Sequence, residues 1–210
     1  MKKIILVFAA VLIVIISTSP VYAGSPFSIN FGYTSVAWRS DLGLLYTLPS
    51  TRAGFDLDMG KVDLFLDRID TQKREKEHNI YGDVGFNFSR TDVGLKYKIP
   101  VLPLKARLVY RDYFLNTTSN TYNSSGHYSG LGIGADTKIP ATPIDINASY
   151  FPSLNGPDRK LNDFEIGATY NFSMKGLLSG RLSISHDSIG NTAGNNMDAT
   201  IFYIGLTKNF

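Results

Sequence analysis

The strongest constraint on this chain is an alternation of apolar and polar residues that recurs in segment after segment from Phe27 to the carboxy terminus. Successive side chains of a β-strand point to opposite faces, whereas the residues on one face of a helix recur about every 3.6 positions. The final segment, Asp198–Phe210, places four apolar residues on one parity: Phe202, Ile204, Leu206 and Phe210. The pattern predicts an all-β chain whose strands each have one apolar face.

The connections between the predicted strands alternate between short and long. Short ones are predicted at Pro100–Pro103, Pro140–Pro143 and Met174–Leu178, and long ones at Asn116–Gly126, Pro152–Asn162 and Ser188–Met197. A soluble sandwich has no reason to sort its loops in this way. An up-and-down antiparallel transmembrane β-barrel does, because its periplasmic turns are short and its extracellular loops are longer. This barrel is the predicted fold.

The strand count depends on two places where the apolar parity switches, near Gly60-Lys61 and around Ser89–Thr91. If Arg52–Asp67 and Ile80–Ile99 are each one strand with a bulge, the barrel has ten strands. Splitting both segments gives twelve, and leaving the first hairpin out of the wall gives eight. Ten is preferred, because only that count keeps every loop on its expected side.

Two further segments are interpreted as breaks between strands. Pro49-Ser50-Thr51 is predicted to end a strand, since proline cannot donate a hydrogen bond to a neighbouring strand. Asp67–His78 is the most charged segment of the chain and is predicted to be an external loop.

The amino terminus has the features of a secretory signal peptide. Lys2 and Lys3 precede the apolar run Ile4–Ile16, and small residues lead to a predicted cleavage site after Ala23. The prediction is therefore a leader at 1–23 and a single barrel domain at 24–210. The chain has no cysteine, which excludes lipoprotein acylation, disulfides and thiol chemistry.

Composition argues against several classes of function. The formal net charge is +3, and loss of Lys2 and Lys3 with the leader reduces the excess of basic residues to one. A nucleic-acid surface would need clustered excess Lys and Arg, so no nucleic-acid partner is expected. The three histidines lack the spacing of metal ligands, and no motif indicates a cofactor.

Alternation also sorts the charged side chains onto one face. The residues expected to line the lumen are Lys96, Arg107, Arg111, Asp136, Asp145, Glu165 and Arg181, with Asp56 beside them. A strongly selective pore would have a lining of one sign. This lining has both signs, so the charges are expected to pair with one another as a structural network. The alternative is a narrow pore.

The closing strand and its terminal aromatic resemble those of bacterial outer-membrane β-barrels, in which the terminal aromatic belongs to the assembly signal. With the leader and the loop pattern, the whole chain resembles the small barrel proteins of the Gram-negative outer membrane. The resemblance implies an integral outer-membrane protein that contacts membrane lipid, lipopolysaccharide and the outer-membrane assembly machinery. It makes Phe202, Ile204, Leu206 and Phe210 the assembly signal and leaves the oligomeric state open.

One short motif points to chemistry. His186-Asp187-Ser188, at the outer end of the penultimate strand, resembles the His-x-Ser motif of outer-membrane lipid A 3-O-deacylases. The resemblance implies His186 as general base and Ser188 as nucleophile, with Asp198 where that family has Glu.

Three functions follow as hypotheses. The first is a non-enzymatic barrel with a structural or surface-interaction role. The second is a narrow, porin-like passive channel for small solutes or ions, and the third is the lipid A-modifying hydrolase implied by the His-x-Ser motif.

Overall fold

The computed structural model describes residues 27–39, 45–71, 77–79, 82–118, 123–157, 159–174, 178–191 and 196–210. The predicted leader and its cleavage position after Ala23 lie outside these residues, so the structure does not bear on them. Within the described part of the chain, no helix is long and apolar enough to cross a membrane.

The described residues form strands joined by tight connections, as the alternation predicts. The strands are β1 (Phe27–Arg39), β2 (Leu45–Asp58), β3 (Val62–Thr71), β4 (Glu77–Asn79), β5 (Gly82–Lys98), β6 (Leu104–Thr118), β7 (Asn123–Lys138), β8 (Ile144–Asn155), β9 (Lys160–Ser173), β10 (Leu178–Asn191) and β11 (Asn196–Asn209).

The sheet closes on itself. Each strand from β5 to β11 pairs antiparallel with its sequence neighbour, β11 pairs with β1, and β1, β2, β3 and β5 complete the ring. The short β4 also pairs with β5, so β3 and β4 occupy one position in the wall. The wall therefore has ten positions, and the prediction of a ten-stranded antiparallel barrel is confirmed, rather than eight or twelve.

The two ends of the barrel differ. The end that we call the turn end holds both chain ends of the barrel and the connections at 59–61, 99–103, 139–143 and 174–177. At this end Phe210 donates its backbone N–H to the carbonyl of Phe27 over 3.1 Å, and the two rings stack with centroids 4.7 Å apart. The opposite end, which we call the loop end, holds the remaining connections.

Alternation separates the two faces of the wall. Phe202, Ile204 and Leu206 on the outer face are 51%, 57% and 50% exposed, whereas Ile201 and Tyr203 on the inner face are almost fully buried. The other strands follow the same rule, so an apolar band surrounds the outside. A band of this kind is stable in contact with an apolar solvent such as lipid. In water it would be a large exposed hydrophobic surface, which is unfavourable.

The strand break predicted at Pro49-Ser50-Thr51 is wrong, because all three residues lie inside β2. Pro49 pairs with Ser35 of β1, while the pairing of β2 with β3 begins only at Ser50, opposite Thr71. At Pro49, β2 therefore has no paired strand on the side of β3. Proline lacks a backbone N–H, but at this position no hydrogen bond to β3 is lost.

The first parity switch is a tight turn and not a bulge within Arg52–Asp67. β2 ends at Asp58 and β3 begins at Val62, and Gly60 between them has φ +85°. Asp58 accepts a hydrogen bond of 2.7 Å from the Gly60 N–H, and glycine adopts this left-handed conformation without strain.

The bulge predicted at the second switch, within Ile80–Ile99, is also wrong. β5 pairs with β6 in one continuous register from Gly85 to Lys98. The even parity faces the lumen throughout, with Phe88 buried in one half of the barrel and Lys96 in the other. The pattern switches because the filling of the lumen changes from apolar to charged along the strand.

The predicted loops at the loop end include residues that belong to strands in the structure. β6 and β7 stay paired up to Thr118 opposite Asn123, and β10 and β11 up to Gly190 opposite Asn196. Similarly, Asn155 pairs with Lys160. The polar composition of these segments suggests loop, but they are hairpin extensions beyond the apolar band. The parts of the predicted loops at 119–122, 158 and 192–195 lie outside the described residues.

The charged segment Asp67–His78 is in part strand. β3 continues to Thr71, because Ile69 is fully buried in the lumen and Asp67 pairs with Arg52 at 2.9 Å. Residues 72–76 lie outside the described part of the chain.

Candidate functional site

Side chains fill the loop-end half of the lumen. This cluster, which we call the apolar plug, consists of Val36, Trp38, Leu48, Ile69, Phe88, Leu115, Tyr128, Phe151, Leu154, Leu161, Ile189, Met197, Ala199 and Ile201. Trp38 and Phe88 contact each other with ring centroids 5.5 Å apart. Every strand that contributes to the plug does so with inward positions near its loop end, so the plug crosses the whole bore.

A glycine on β7, Gly132, makes room for the ring of Phe151 at the base of the plug. A Cβ at Gly132 would come within 2.4 Å of the ring of Phe151. Phe151 therefore lies flat against the wall and is fully buried. Its other face supports the guanidinium of Arg111, whose Cζ lies 4.2 Å from the ring centroid, a cation–π geometry.

Next to the plug lies a buried set of charges, which we call the ionic layer: Arg90, Asp92, Arg111, Asp163, Glu165 and Asp187. Arg111 is fully buried and contacts carboxylates in several directions. It holds Asp92 in a bidentate pair at 2.8 and 2.7 Å and donates to Asp163 at 2.6 Å. It also donates to Glu165.

Arg90 is the second cation of the ionic layer. It donates to Asp187 at 2.7 Å and lies 3.5 Å from Asp92 and 3.6 Å from Glu165. Tyr113 connects the two halves of the layer, because its hydroxyl lies 2.8 Å from Asp163 and 3.1 Å from Asp187. The layer therefore links strands on opposite sides of the bore.

The turn-end half of the lumen holds a cavity of about 540 Å³, which we call the vestibule. Its floor includes Arg90, Asp92 and Glu165 of the ionic layer, and Leu102 and Pro103 of the 99–103 turn lie at its mouth. The vestibule opens at the turn end, and the ionic layer closes it at the other.

Most charges of the vestibule are paired. Lys96 contacts Asp56 at 3.0 Å, Arg107 contacts Asp136 at 3.2 Å, and Lys98 contacts Asp63 at 3.0 Å. Lys96 and Arg107 also lie over the ring of Phe65, 4.7 and 5.1 Å from its centroid. These side chains coat the wall and leave the axis of the vestibule open.

The structure places the predicted lumen residues at two depths. Arg111 and Glu165 belong to the ionic layer, whereas Lys96, Arg107, Asp136, Asp145 and Arg181 line the vestibule. Asp145 accepts a hydrogen bond of 2.6 Å from Asn171. Arg181 makes no ion pair with any residue that the structure describes, and its Nε is buried without a hydrogen-bond partner.

The lumen residues predicted from the sequence leave out four members of the ionic layer: Arg90, Asp92, Asp163 and Asp187. Arg90 lies inside the supposed bulge at Ser89–Thr91, and Asp163 lies beside the segment predicted as a long loop. Extending the inward parity of each strand to its loop end would have found all four.

The candidate catalytic residues lie on the outer face near the loop end. Ser188 pairs in register with Asp198, and His186 pairs with Thr200. His186 Nε2 lies 3.9 Å from Asp198 Oδ1, and its Nδ1 lies 3.1 Å from the Thr200 hydroxyl. No hydrogen bond joins Ser188 to His186, so the contact that would activate the nucleophile is not formed. Among the described residues, no group of His, Asp and Glu is arranged to hold a metal ion.

The residues of the predicted assembly signal all lie on the outer face of β11 or at its end, and Phe210 is 41% exposed. Lys208 shares their parity, and its Nζ lies 4.5 Å from the centroid of the Phe210 ring. The ring thus covers the charged end of the one basic residue on this face of the strand.

No protein-family model matches the chain, and no curated protein matches it. Solved structures do. The outer-membrane protease OmpT from Escherichia coli is 9% identical with a TM-score of 0.57, covering 92% of this chain and all of that one. The translocator domain of the autotransporter NalP from Neisseria meningitidis is 9% identical with a TM-score of 0.50, covering 100% and 97%. At these identities the likeness concerns the fold alone.

Proposed function

We propose that this chain, which has the fold of outer-membrane β-barrels, is an integral outer-membrane protein with a closed lumen. In this proposal the turn end faces the periplasm, the loop end faces the exterior, and the barrel is non-enzymatic, with a structural or surface-interaction role. Membrane lipid and lipopolysaccharide would contact the outer face, and the assembly machinery would recognise the end of β11.

The observation that carries the proposal is the filling of the lumen. A conducting pore needs a continuous polar path, and here the vestibule ends at the ionic layer, where Arg111 has no exposed surface. Beyond that layer, the apolar plug offers no groups to replace the hydration shell of an ion. Both layers would have to move for a solute to pass.

The sidedness has independent support. The tight turn at Gly60 lies at the turn end, together with the short connections at 99–103 and 139–143. In outer-membrane barrels, short turns face the periplasm and longer hairpins face outward. At the loop end the β6–β7 hairpin stays paired through polar residues as far as Thr118 opposite Asn123.

Planar-bilayer recording tests the proposal. The purified barrel should first show heat-modifiable gel migration, which establishes that it is folded. Inserted into a bilayer, it should then give no stable conductance steps. Discrete, ion-selective steps from folded protein would contradict the closed lumen and favour the passive channel. An epitope inserted between Ser119 and Asn120 should be accessible on whole cells, and protection of it there would contradict the sidedness.

The hydrolase hypothesis keeps one favourable observation, the approach of His186 to Asp198 on the outer face. Its weakness is the missing contact between Ser188 and His186. Mass spectrometry of lipid A from cells that express the wild type, His186→Ala or Ser188→Ala is the test. An acyl pattern that changes with the wild type and not with either variant would support hydrolysis, and identical patterns in all three would remove it.

A further inference from the structure

The guanidinium of Arg181 is the unusual group of the vestibule. It points into the lumen from β10, and its Nε is buried without a hydrogen-bond partner. Arg181 as a whole is half-buried and borders the cavity, and a buried N–H that has no acceptor costs free energy. Two of the carboxylates that could serve it belong to other cations: Asp67 pairs with Arg52 at 2.9 Å, and Asp56 pairs with Lys96 at 3.0 Å. A third, Asp145, accepts a hydrogen bond from Asn171 and makes no ion pair with Arg181.

A second cation, Arg52, approaches Arg181, because its guanidinium donates to the hydroxyl of Ser183 on β10 at 3.3 Å. The register joins Arg52 of β2 to Gly32 of β1, Gly32 to Gly205 of β11, and Gly205 to Arg181 of β10. The two arginines therefore stand in one row of the wall, separated by two glycines that carry no side chain.

Tyr203 covers the two glycines between the arginines. A Cβ at Gly205 would come within 2.0 Å of the Tyr203 hydroxyl, and one at Gly32 would come within 2.8 Å of its ring. Arg52 lies over this ring, 5.1 Å from the centroid. The hydroxyl is buried and has no hydrogen-bond partner among the described residues. Two donors without partners, Arg181 Nε and Tyr203 Oη, thus lie on neighbouring strands, β10 and β11.

The attraction for an anion is local to Arg181. Eight basic and six acidic side chains line the vestibule, but three of the basic ones pair with carboxylates just outside this lining: Arg90 with Asp187, Lys98 with Asp58 and Lys105 with Asp63. The volume of the vestibule, about 540 Å³, accommodates a small solute with its water. Strand pairing closes the ring, and the two register shifts that β8 makes with β7 and β9 lie in the loop-end half, away from the vestibule. We therefore expect a solute to enter through the turn end and not a lipid from the side.

We propose that the vestibule binds a small free oxyanion, a phosphate or a carboxylate, between Arg181 and Arg52. The planar guanidinium of Arg181 presents two N–H donors in the fork that matches these anions. Arg52 already shares its charge with Asp67, so it contributes mainly electrostatic attraction. The site lies on the turn-end side of the ionic layer, and it neither needs nor creates a passage through the barrel.

Asp145 is the competing anion within the molecule. It lines the same vestibule, and its carboxylate accepts a hydrogen bond from Asn171, the register partner of Arg181. It makes no ion pair with a described residue. If Asp145 limits the affinity by attracting Arg181 and repelling the ligand, its removal should strengthen binding.

Isothermal titration of the folded barrel in zwitterionic nanodiscs with inorganic phosphate tests the site. Wild-type protein should bind one phosphate per barrel. Arg181→Gln should weaken binding about tenfold or more, the loss expected for a hydrogen-bonded ionic contact. Asp145→Asn should tighten binding a few-fold, and Arg39→Gln, at the loop end of β1, should bind like the wild type. Folding of each variant is checked by heat-modifiable migration.

Several results would overturn the site: no binding by the wild type, equal binding by Arg181→Gln, or equal loss in Arg39→Gln. Repeating the titration in nanodiscs that contain anionic lipid identifies the source of the anion. Unchanged affinity supports a free solute, whereas displacement of phosphate by the lipid would contradict the sealed wall and the free oxyanion with it. Conductance plays no part in this test, so the closed-lumen proposal and the anion site can fail separately.

Discussion

The two halves of the lumen are lined by the same ten strand positions but are filled by different kinds of side chain. The loop-end half is filled with apolar side chains over a buried ionic layer, and the turn-end half keeps charged side chains against the wall around an open cavity. In the loop-end half, each side chain is held in place by contacts with its neighbours. In the turn-end half, most charged side chains pair with a nearby opposite charge and also border water.

This difference indicates which half of the barrel is more sensitive to substitution. Buried ion pairs contribute little net stability compared with apolar packing, but breaking one leaves an uncompensated charge. Paired charges beside water are worth about 0–1 kcal/mol. The barrel should therefore tolerate substitution in the vestibule and resist it in the ionic layer and the apolar plug.

The largest effect is expected from Arg111→Leu. It leaves Asp92, Asp163 and Glu165 without their main cation, and the free energy of unfolding should fall by about 3–5 kcal/mol. The matched variant Arg107→Leu in the vestibule should cost about 1 kcal/mol or less, because its partner Asp136 is also close to Lys96. Urea unfolding in micelles measures both. Equal losses would show that the two halves do not differ in this way.

Glycine substitutions compare the halves at the level of packing. In Gly132→Ala the new Cβ would press on the Phe151 ring, which lies between the wall and Arg111 and cannot move, so the expected cost is about 1–3 kcal/mol. In Gly54→Ala the new Cβ would meet the amide of Asn30, a buried residue that borders the vestibule, so we expect the amide to turn toward the cavity. A smaller loss is expected there, from the same unfolding measurement, and a larger one would argue against an adaptable vestibule.

Solvent access should distinguish the halves directly. The chain has no cysteine, so a single introduced thiol is the only target. Ser183→Cys lines the vestibule, whereas Ala199→Cys lies in the apolar plug with no exposed surface. Alkylation of the Ala199→Cys variant needs local opening and should be on the order of tenfold slower or more than that of Ser183→Cys. Similar rates for a small reagent would mean that water reaches the plug.

The smallest effect is expected at the mouth of the vestibule. Val101 has φ 72°, a conformation that β-branched residues rarely adopt, and its side chain is fully exposed. Val101→Asn should therefore stabilise the barrel by about 0.5–1 kcal/mol. Leu102→Asn in the same turn has no such strain to relieve and serves as the control. A loss of stability in Val101→Asn would show that the turn is held by contacts of the valine.

Predictions from the sequence pattern were correct for the face of each strand whose surroundings are the same along its whole length. β11 is the clearest case, because every outward residue from Phe202 to Leu206 meets the same apolar environment. The inner face has no uniform surrounding. Along β5 it passes from Phe88 in the plug through Arg90 in the ionic layer to Lys96 in the vestibule, and this change gave the appearance of a bulge.

The break expected at Pro49 failed for a related reason. Whether a missing N–H matters depends on whether a partner strand lies on that side, and here β3 ends before Pro49. The candidate catalytic residues show the same limit. Sequence placed His186 and Ser188 on one face, but the distances between side chains on neighbouring strands follow from the register with β11.

The sequence by itself determined the class of fold and the outward face, because period-two alternation against an apolar surrounding is a local property of each strand. The sequence favours ten strands over eight and twelve, but the structure reaches that count with other boundaries, since β2 runs through Pro49 and ends at the turn around Gly60. Only the tertiary structure decided how the interior is divided, since Arg111, Asp92, Asp163 and Glu165 meet across the bore from three different strands. It also decided that Arg181 has no acidic partner among the described residues, because Asp67 pairs with Arg52 across the β2–β3 hairpin and Asp56 pairs with Lys96 across β3.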